Sequence, residues 1–409
     1  MEENNYIESL KKRIVDNSKR CRTCNFCYTV CPVYESSRGF LTRGPSGMMA
    51  SIYYAVVWDM LNKRTEDSKA LRDILSACTT CGSCNIICKS SGPGTPVVEV
   101  IEAGRSLLVE LMLGPLPEHV KVLESLQQFG NPYHEAASKR LDWFQELNKD
   151  FKTKCRIVPE EGPVDVLLYV GCSASYNADI QKIARSVVML MEKMDIRFGV
   201  LKEEKCCGSP AKQIGEQGLF EELSGANVQS FRATGARTIV TISPHCYHSF
   251  MNEYPDGMRE FEVRHFTDFF SKSIEDKRII PKLRIEKTVA YHDPCYLGKK
   301  NSLYAPPRKI LGAIPGIQVV ELKRSKENCL CCGGGGGRMW LDIEEAVRPS
   351  QVKVEEALAV GAQVLVTACP WCHLQIEDAI KTSDREGKLE AKDISELLLS
   401  SLSCESQGN

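Results

Sequence analysis

The sequence lacks the features that point to nucleic acid, membrane insertion or secretion. Its 409 residues carry 52 Lys and Arg against 53 Asp and Glu, so no excess of positive charge attracts nucleic acid or an anionic membrane. The longest apolar run, Gly47–Trp58, is far shorter than the ~20 residues of a membrane-spanning helix. The opening MEENNYIESL is acidic and polar, unlike a signal peptide. We expect a cytoplasmic chain that meets the inner face of the membrane only through a partner subunit.

Cysteine, in contrast, is abundant. The chain contains 20 cysteines, and disulfides need an oxidising compartment for which the sequence carries no signal. We therefore expect the thiolates to serve as metal ligands. Apolar residues make up 43% of the chain, which is ample for the cores of two or three domains.

Eight of the cysteines form two copies of the spacing C-x2-C-x2-C-x3-C. The copies are Cys21, Cys24, Cys27, Cys31 and Cys78, Cys81, Cys84, Cys88. The spacing resembles that of bacterial ferredoxins, in which the fourth cysteine of each run crosses to the other [4Fe–4S] cluster. The resemblance implies a first cluster held by Cys21, Cys24, Cys27 and Cys88, and a second held by Cys78, Cys81, Cys84 and Cys31. Structural zinc is the alternative, but its four-ligand sites use fewer cysteines than these runs supply.

The pattern of elements changes along the chain. Apolar residues at helical spacing precede the first cysteine run, residues 99–113 also read as a helix, and no strand pattern occurs before residue 160. We expect an α-helical ferredoxin domain over residues 1–113 and a proline-containing linking segment with short helices over 114–160.

The second half alternates short β-branched runs with helical patterns. The predicted strands are residues 166–170, 198–201, 238–242, 288–291, 319–322 and 364–367. This alternation is typical of α/β layers with parallel strands. Because VLLYVGCSAS resembles TVAYHDPCYLG, and GARTIVTISPHC resembles GAQVLVTACPWC, we expect two repeated domains, over residues 161–285 and 286–403.

Each repeat places cysteines just after its strands, where α/β sheets hold their ligands. The first copy has Cys172, Cys206, Cys207 and Cys246; the second has Cys295, Cys331, Cys332, Cys369 and Cys372. This pattern resembles the cysteine-rich CCG domain. Two ferredoxin runs followed by two CCG domains resemble the D-type subunit of heterodisulfide reductase. They are equally similar to the iron–sulfur subunits of glycolate oxidase, lactate-utilisation and anaerobic glycerol-3-phosphate dehydrogenase systems.

The resemblance implies a noncubane iron–sulfur cluster held by the five cysteines of the second copy, which would form the catalytic site. In the first copy the fifth position is Ser243, and serine is a poor iron ligand beside thiolate. The first site would then hold an ordinary iron–sulfur cluster or another metal such as zinc, or stay empty.

Other residues near the CCG cysteines are weaker candidates for a functional role. The glycines at 333–337 would let the backbone approach a cluster and offer N–H donors to sulfur. His245, His248, His292 and His373 are candidate proton donors, with packed histidines as the alternative. Arg338 is either an anchor for an anionic substrate or half of a structural salt bridge. It also breaks the G-x-G-x-x-G spacing, and the sequence shows no flavin or nicotinamide motif.

Two functions fit these patterns. In the first, the chain is a catalytic subunit that reduces a thiol heterodisulfide, such as CoM-S-S-CoB, with electrons relayed through two [4Fe–4S] clusters. In the second, it is a non-catalytic electron-transfer subunit of a flavin-dependent glycolate, lactate or glycerol-3-phosphate dehydrogenase. The expected partner is a membrane b-type cytochrome or a soluble flavoprotein.

Overall fold

The structure is a computed structural model that describes residues 2–61, 66–90, 94–343 and 345–402. The N-terminal part is helical, as predicted. Its helices are α1 (Glu2–Ser18), α2 (Pro32–Ser36), α3 (Pro45–Val57), α4 (Glu66–Ser76), α5 (Ser83–Ile87) and α6 (Val97–Glu110). Helix α6 packs against α1, α3 and α4. Within the described ranges, no helix combines the length and apolar character needed to cross a membrane.

Two helices and a sheet follow. The helices are α7 (Pro117–Phe129) and α8 (Asp142–Phe151). The strands of the sheet are β1 (Arg156–Val158), β2 (Val166–Tyr169), β3 (Phe198–Leu201), β4 (Thr238–Thr241) and β5 (Glu262–His265). The helices around it are α9 (Cys172–Tyr176), α10 (Ala178–Glu192), α11 (Ser209–Ile214), α12 (Gln217–Ala233), α13 (Pro244–Asn252) and α14 (Phe266–Glu275). The strands are parallel in the order β1-β3-β2-β4-β5, and Leu167 pairs with both Gly199 and Ile239.

The last part repeats this arrangement. Its strands are β6 (Lys287–Tyr291), β7 (Ile317–Val320), β8 (Val364–Thr367) and β9 (Glu390–Asp393). Its helices are α15 (Ala305–Ala313), α16 (Pro349–Ala359), α17 (Pro370–Thr382) and α18 (Ile394–Ser400). The strands are again parallel, in the order β7-β6-β8-β9, which matches β3-β2-β4-β5 of the first sheet.

The central strands are apolar because helices cover both faces of each sheet. All four residues of β2 and all four of β8 are buried, as expected of parallel strands between helical layers. Helix α10 packs against α17 and α18, and α14 packs against α15, so the largest core lies between the two sheets. Trp143 on α8, Leu168 and Val289 belong to it.

The sequence pattern missed three strands and displaced one. The edge strands β1, β5 and β9 are too short to show a clear alternation of apolar and polar residues. Strand β1 also contradicts the expectation of no strand before residue 160. Strand β7 spans residues 317–320 instead of 319–322. It lies at the edge of its sheet and is half exposed, so burial constrains its sequence weakly.

Candidate iron–sulfur sites

The second cysteine run closes around one small cavity. Cys78, Cys81 and Cys84 line it together with Cys31 from the first run, and the loop 79–83 completes its wall. Burial is the first cause that raises the pKa of Cys84, and the neighbouring thiols Cys78, Cys81 and Cys31 raise it further. The four thiols therefore lie within electrostatic reach of one another. Their role as cluster ligands stays a prediction.

The first run lies nearer the surface. Cys24 is exposed, and Cys21, Cys27 and Cys88 are half-buried. Cys27 is electrostatically coupled to Cys21 and Cys24. The Ser90 hydroxyl, two residues beyond Cys88, donates to the carbonyl of Arg20 beside Cys21, so the chain brings Cys88 back toward the first run.

The five cysteines of the second CCG copy come together at the carboxyl ends of β6 and β8 and in the loop after β7. They are Cys295, Cys331, Cys332, Cys369 and Cys372, each at most 5% exposed. The Sγ of Cys295 lies 3.9 Å from that of Cys331, and the Sγ of Cys332 lies 3.3 Å from that of Cys372. Contact with Cys295 is the first cause that lowers the pKa of Cys331, and contacts with Cys331 and Cys372 lower that of Cys332 to about 5.

The second cysteine run touches the second CCG site. Cys81 belongs to the same buried cluster as the five CCG cysteines, and the nearby Cys331 is the first cause that raises the pKa of its thiol. The sequence did not predict this contact, because no local signal relates two segments that lie so far apart in the chain. The two candidate ligand sets therefore share a wall.

The glycine run at residues 333–337 contacts both a sulfur atom of the second CCG site and the backbone of the second cysteine run. We call the place where these two segments meet the junction. The N–H of Gly333 donates to Cys331 Sγ at 3.4 Å, as expected for a sulfur-binding loop. The later glycines pack elsewhere: a Cβ on Gly335 would lie 2.4 Å from the carbonyl oxygen of Thr79, and one on Gly336 would lie 2.0 Å from that of Cys78. Only a chain without side chains fits between these backbones.

Two buried arginines stabilise the junction. Arg105 on α6 donates to the carbonyl oxygens of Leu75, Cys78, Gln213 and Gly336, which ties three parts of the molecule together. Arg338 donates to the carbonyls of Gly333 and Ala77 and pairs with Glu345. Of the two interpretations of Arg338, these contacts favour the structural salt bridge over an anchor for an anionic substrate.

The first CCG copy forms a second cavity. Its lining includes Cys172, Cys206, Cys207 and Cys246, the position of the missing thiolate at Ser243, and His245. The Sγ atoms of Cys172 and Cys206 are 3.9 Å apart. Ser243 is the N-cap residue that precedes α13, and its hydroxyl oxygen accepts the N–H of His245 at 3.3 Å. The serine oxygen thus acts as a helix cap.

A buried ion pair fixes the loop that carries Cys172. Glu204 accepts the N–H groups of Val170 and Gly171 at 3.0 and 2.7 Å. Arg140, from the segment predicted to link domains, contacts Glu204 at 2.6 Å. Burial raises the pKa of Glu204, and Arg140 opposes this increase.

The four candidate histidines are all buried, but they differ in their surroundings. One ring nitrogen of His292 lies within 4.8 Å of the sulfurs of Cys332 and Cys372, and its Nδ1 lies 3.5 Å from Cys329 Sγ. Burial lowers the pKa of His373 to about 3, so its ring is neutral at physiological pH. No proton transfer by these residues is assigned.

Cys329 lies two residues before Cys331 and is a buried thiol outside the cysteine motifs. Burial raises the pKa of this thiol, but Lys353 and His292 outweigh burial and bring it to about 7. The other two cysteines outside the motifs differ: Cys155 is buried away from both sites, and Cys404 lies outside the described residues.

The residues present fit iron–sulfur clusters. Soft thiolates suit iron–sulfur clusters and zinc, and the second CCG site offers five of them, more than a tetrahedral zinc site uses. A glycine loop that donates an N–H group to sulfur is also appropriate around such a cluster.

Comparison with known protein families agrees with this fit. Residues 17–91 match the 4Fe-4S dicluster domain family, and residues 166–251 and 289–377 each match the cysteine-rich domain family CCG. Fold and sites together define an iron–sulfur oxidoreductase with a dicluster ferredoxin domain and two CCG domains.

Three relatives illustrate the range of the similarity. The chain is 31% identical to the D-type subunit of the dihydromethanophenazine:CoB–CoM heterodisulfide reductase of Methanosarcina barkeri, over 88% of each chain. It is 35% identical to the probable iron-sulfur-binding oxidoreductase FadF of Bacillus subtilis, over 80% of this chain and 46% of FadF. It is 31% identical to the EtfAB:quinone oxidoreductase of Syntrophomonas wolfei, over 92% of this chain and 57% of that protein. The chain thus spans about half the length of the latter two.

The chain therefore belongs to the CCG-domain iron–sulfur oxidoreductase family that includes the D-type subunit of heterodisulfide reductase. Its cofactors are iron–sulfur clusters. Among solved structures, a hypothetical protein from Helicobacter pylori aligns with a TM-score of 0.48 at 10% identity, over 88% of this chain and 73% of that one.

Proposed function

We propose that this chain carries electrons between an exposed end of its ferredoxin domain and the second CCG site, where a disulfide of two small thiols is reduced. The single observation that carries the proposal is that Cys81 lies in one buried cluster with Cys331 and the other cysteines of the second CCG site. When bound, iron–sulfur clusters supply one-electron oxidation and reduction at each of the candidate sites.

The position of the first cysteine run supports an entry point for electrons. Cys24 is exposed, and the neighbouring Phe26 is 54% exposed. A redox partner could approach this face closely. We propose a membrane b-type cytochrome or a soluble flavoprotein as that partner.

The Cys81–Cys331 contact supports the internal path. Because Cys81 and Cys331 lie in one buried cluster and interact electrostatically, the second cysteine run and the second CCG site adjoin at this point. The N–H group of Gly333 donates to Cys331 Sγ at 3.4 Å and stabilises negative charge on this sulfur.

The five-thiolate set supports chemistry at the end of this path. A substrate R–S–S–R′ would take up two electrons and two protons, the S–S bond would break, and two thiols would leave. The similarity over 88% of both chains to the D-type subunit of heterodisulfide reductase supports this substrate class. The proposed localisation is cytoplasmic, with membrane contact through the partner.

A second candidate function is that of an electron conduit without a substrate of its own. Ser243 removes one thiolate from the first site, and one relative is named as an EtfAB:quinone oxidoreductase. In that case a flavin-dependent dehydrogenase would supply electrons and the chain would pass them onward.

Electron paramagnetic resonance of anaerobically purified, oxidised protein tests the choice, with and without candidate thiols. We expect a thiol-dependent signal in the wild type that is lost in Cys331→Ala and Cys332→Ala. It should persist in Cys207→Ala, at the first site, and in Cys155→Ala, a buried cysteine outside both sites. If wild-type protein with its full iron content showed no change of the paramagnetic signal with any thiol, the second candidate function, electron transfer without a substrate, would be favoured.

A further inference from the structure

The first CCG site has a gap where its repeat has a cysteine. Ser243 aligns with Cys369, and its hydroxyl oxygen already accepts a backbone hydrogen bond from His245. A serine used as a helix cap does not replace a thiolate. The four remaining cysteines therefore leave one position of the five-ligand pattern unfilled.

A buried histidine lies at this gap. His245 lines the same cavity as the four cysteines and Ser243, and it is 5% exposed. Neither ring nitrogen has a hydrogen-bond partner among the residues that the structure describes. A buried polar ring without partners is costly, and a metal ion bound to one ring nitrogen removes the part of that cost that is due to this nitrogen.

The ring is also held in place. It stacks on Tyr296 with centroids 4.0 Å apart and lies against Trp371 at 4.2 Å. Both partners belong to the second CCG domain, so a contact between the repeats orients a residue of the first site. Such fixing of a ligand is usual for metal sites.

The other histidines of the first CCG domain have partners. Nδ1 of His248 lies 3.1 Å from the amide nitrogen of Asn252 and 3.2 Å from that of Asn301. In His265, one ring nitrogen contacts Thr267 and the other contacts the carbonyl oxygen of Ile242. Of these three histidines, His245 alone has both nitrogens free within the described part of the chain.

We infer that His245 is a nitrogen ligand of the metal centre in the first CCG site, together with Cys172, Cys206, Cys207 and Cys246. Imidazole is a known partner of thiolate in iron–sulfur centres, where it raises the reduction potential because a neutral ligand replaces an anionic one. The inference rests on the iron–sulfur assignment of the proposed function and does not depend on disulfide reduction. Ser243 and His245 would thus make the two repeats electronically different.

Pulsed electron paramagnetic resonance tests the ligand directly. In reduced protein labelled with 15N only in histidine, we expect the strong coupling of a directly bound imidazole nitrogen, with the change of isotope visible against unlabelled protein. The coupling should be lost in His245→Ala. It should persist in the matched control His248→Ala and in His292→Ala, which removes the histidine beside the second site.

Two results would overturn the inference. One is a folded wild type whose first site contains no iron or gives no histidine coupling; this measurement needs no variant, so it stands even if His245→Ala does not fold. The other is a coupling that survives in His245→Ala. The thiol-dependent signal of the second site is a separate readout, so failure of the disulfide proposal leaves this test intact.

Discussion

Asp393 is a buried carboxyl group at the junction of β9 and α18. Its Oδ1 accepts the N–H of Ser395 at 2.9 Å and so caps the helix, while its Oδ2 has no hydrogen-bond partner among the described residues. Burial raises its pKa from 3.8 to about 7. The folded protein therefore holds a proton here over a pH range in which the unfolded chain has released it.

The consequence is a stability that falls as pH rises. Between pH 3.8 and about 7 the folded state binds the extra proton, so the free energy of unfolding decreases across this range and levels off above it. Asparagine caps a helix equally well and carries no charge. We expect Asp393→Asn to exceed the wild type in stability at pH 8, by at most about 4 kcal/mol, with a difference that shrinks toward pH 5.

Urea unfolding of the anaerobic protein at several pH values measures this difference. Asp256→Asn is the control, because the Asp256 side chain is 83% exposed. A difference between wild type and Asp393→Asn that stays constant with pH would contradict the explanation.

The loop 333–337 is the element on which the two candidate electron-transfer sites meet. Gly336 has a φ of +67°, and its neighbours are the carbonyls of the second cysteine run. Arg105 donates to the carbonyl oxygen of Gly336 at 3.0 Å and so binds the loop to α6. The glycines thus allow the backbone of this loop to pack directly against the backbone of the second cysteine run. This contact exists only in the folded protein.

Gly336→Ala should disturb this junction. Its Cβ would lie 2.0 Å from the carbonyl oxygen of Cys78, so the loop or the cysteine run must move. We expect a loss of stability of at least about 3 kcal/mol, comparable with other large strain effects, and slower electron transfer to the second CCG site. Thermal unfolding and the rate of dithionite reduction of the clusters measure the two effects.

Gly334→Ala is the matched control within the same run. Its Cβ would meet the flexible Gln375 side chain at 3.2 Å, and its φ is not in the left-handed region. This variant should stay close to wild type in both measurements. If Gly334→Ala and Gly336→Ala lowered stability and slowed reduction equally, the backbone contact at Gly336 would not be the cause. The effect would then come from any added side chain in the loop.

Across the whole molecule, burial of the cysteines increases from the first run toward the CCG sites. Cys24 is exposed, Cys81 and Cys84 are buried, and the five cysteines of the second CCG copy are at most 5% exposed. A molecule arranged in this way can exchange electrons at one end and keep solvent away from the other. The direction of the proposed electron path rests on this gradient and on the shared buried cluster of Cys81 and Cys331.

Removal of iron by a chelator should follow the same gradient. We expect iron to leave the anaerobic protein in at least two phases, with the fast phase belonging to the exposed first run. The fast phase should be missing in Cys24→Ser, provided that this variant folds with its remaining iron. Cys155→Ser should behave as wild type. A single slow phase in the wild type would contradict an exposed first site.

Much of the fold follows from local patterns. Central strands such as β2 and β8 are recognisable because complete burial imposes an unbroken apolar run, and the predicted helix at residues 99–113 agrees with α6. Edge strands such as β1 and β9 are not recognisable, because one side of the strand is free and few residues are constrained.

The amino-acid sequence alone establishes the chemistry of this protein, because cysteine spacing within a short segment already limits which thiols can share a cluster. It also reveals the repeat and the gap at Ser243. Three features became visible only in the folded chain: Cys81 meets Cys331, Arg105 joins three segments, and His245 faces the first site with no partner for its nitrogens among the described residues. These contacts form where surfaces that are distant in the chain pack together, and no local spacing encodes them.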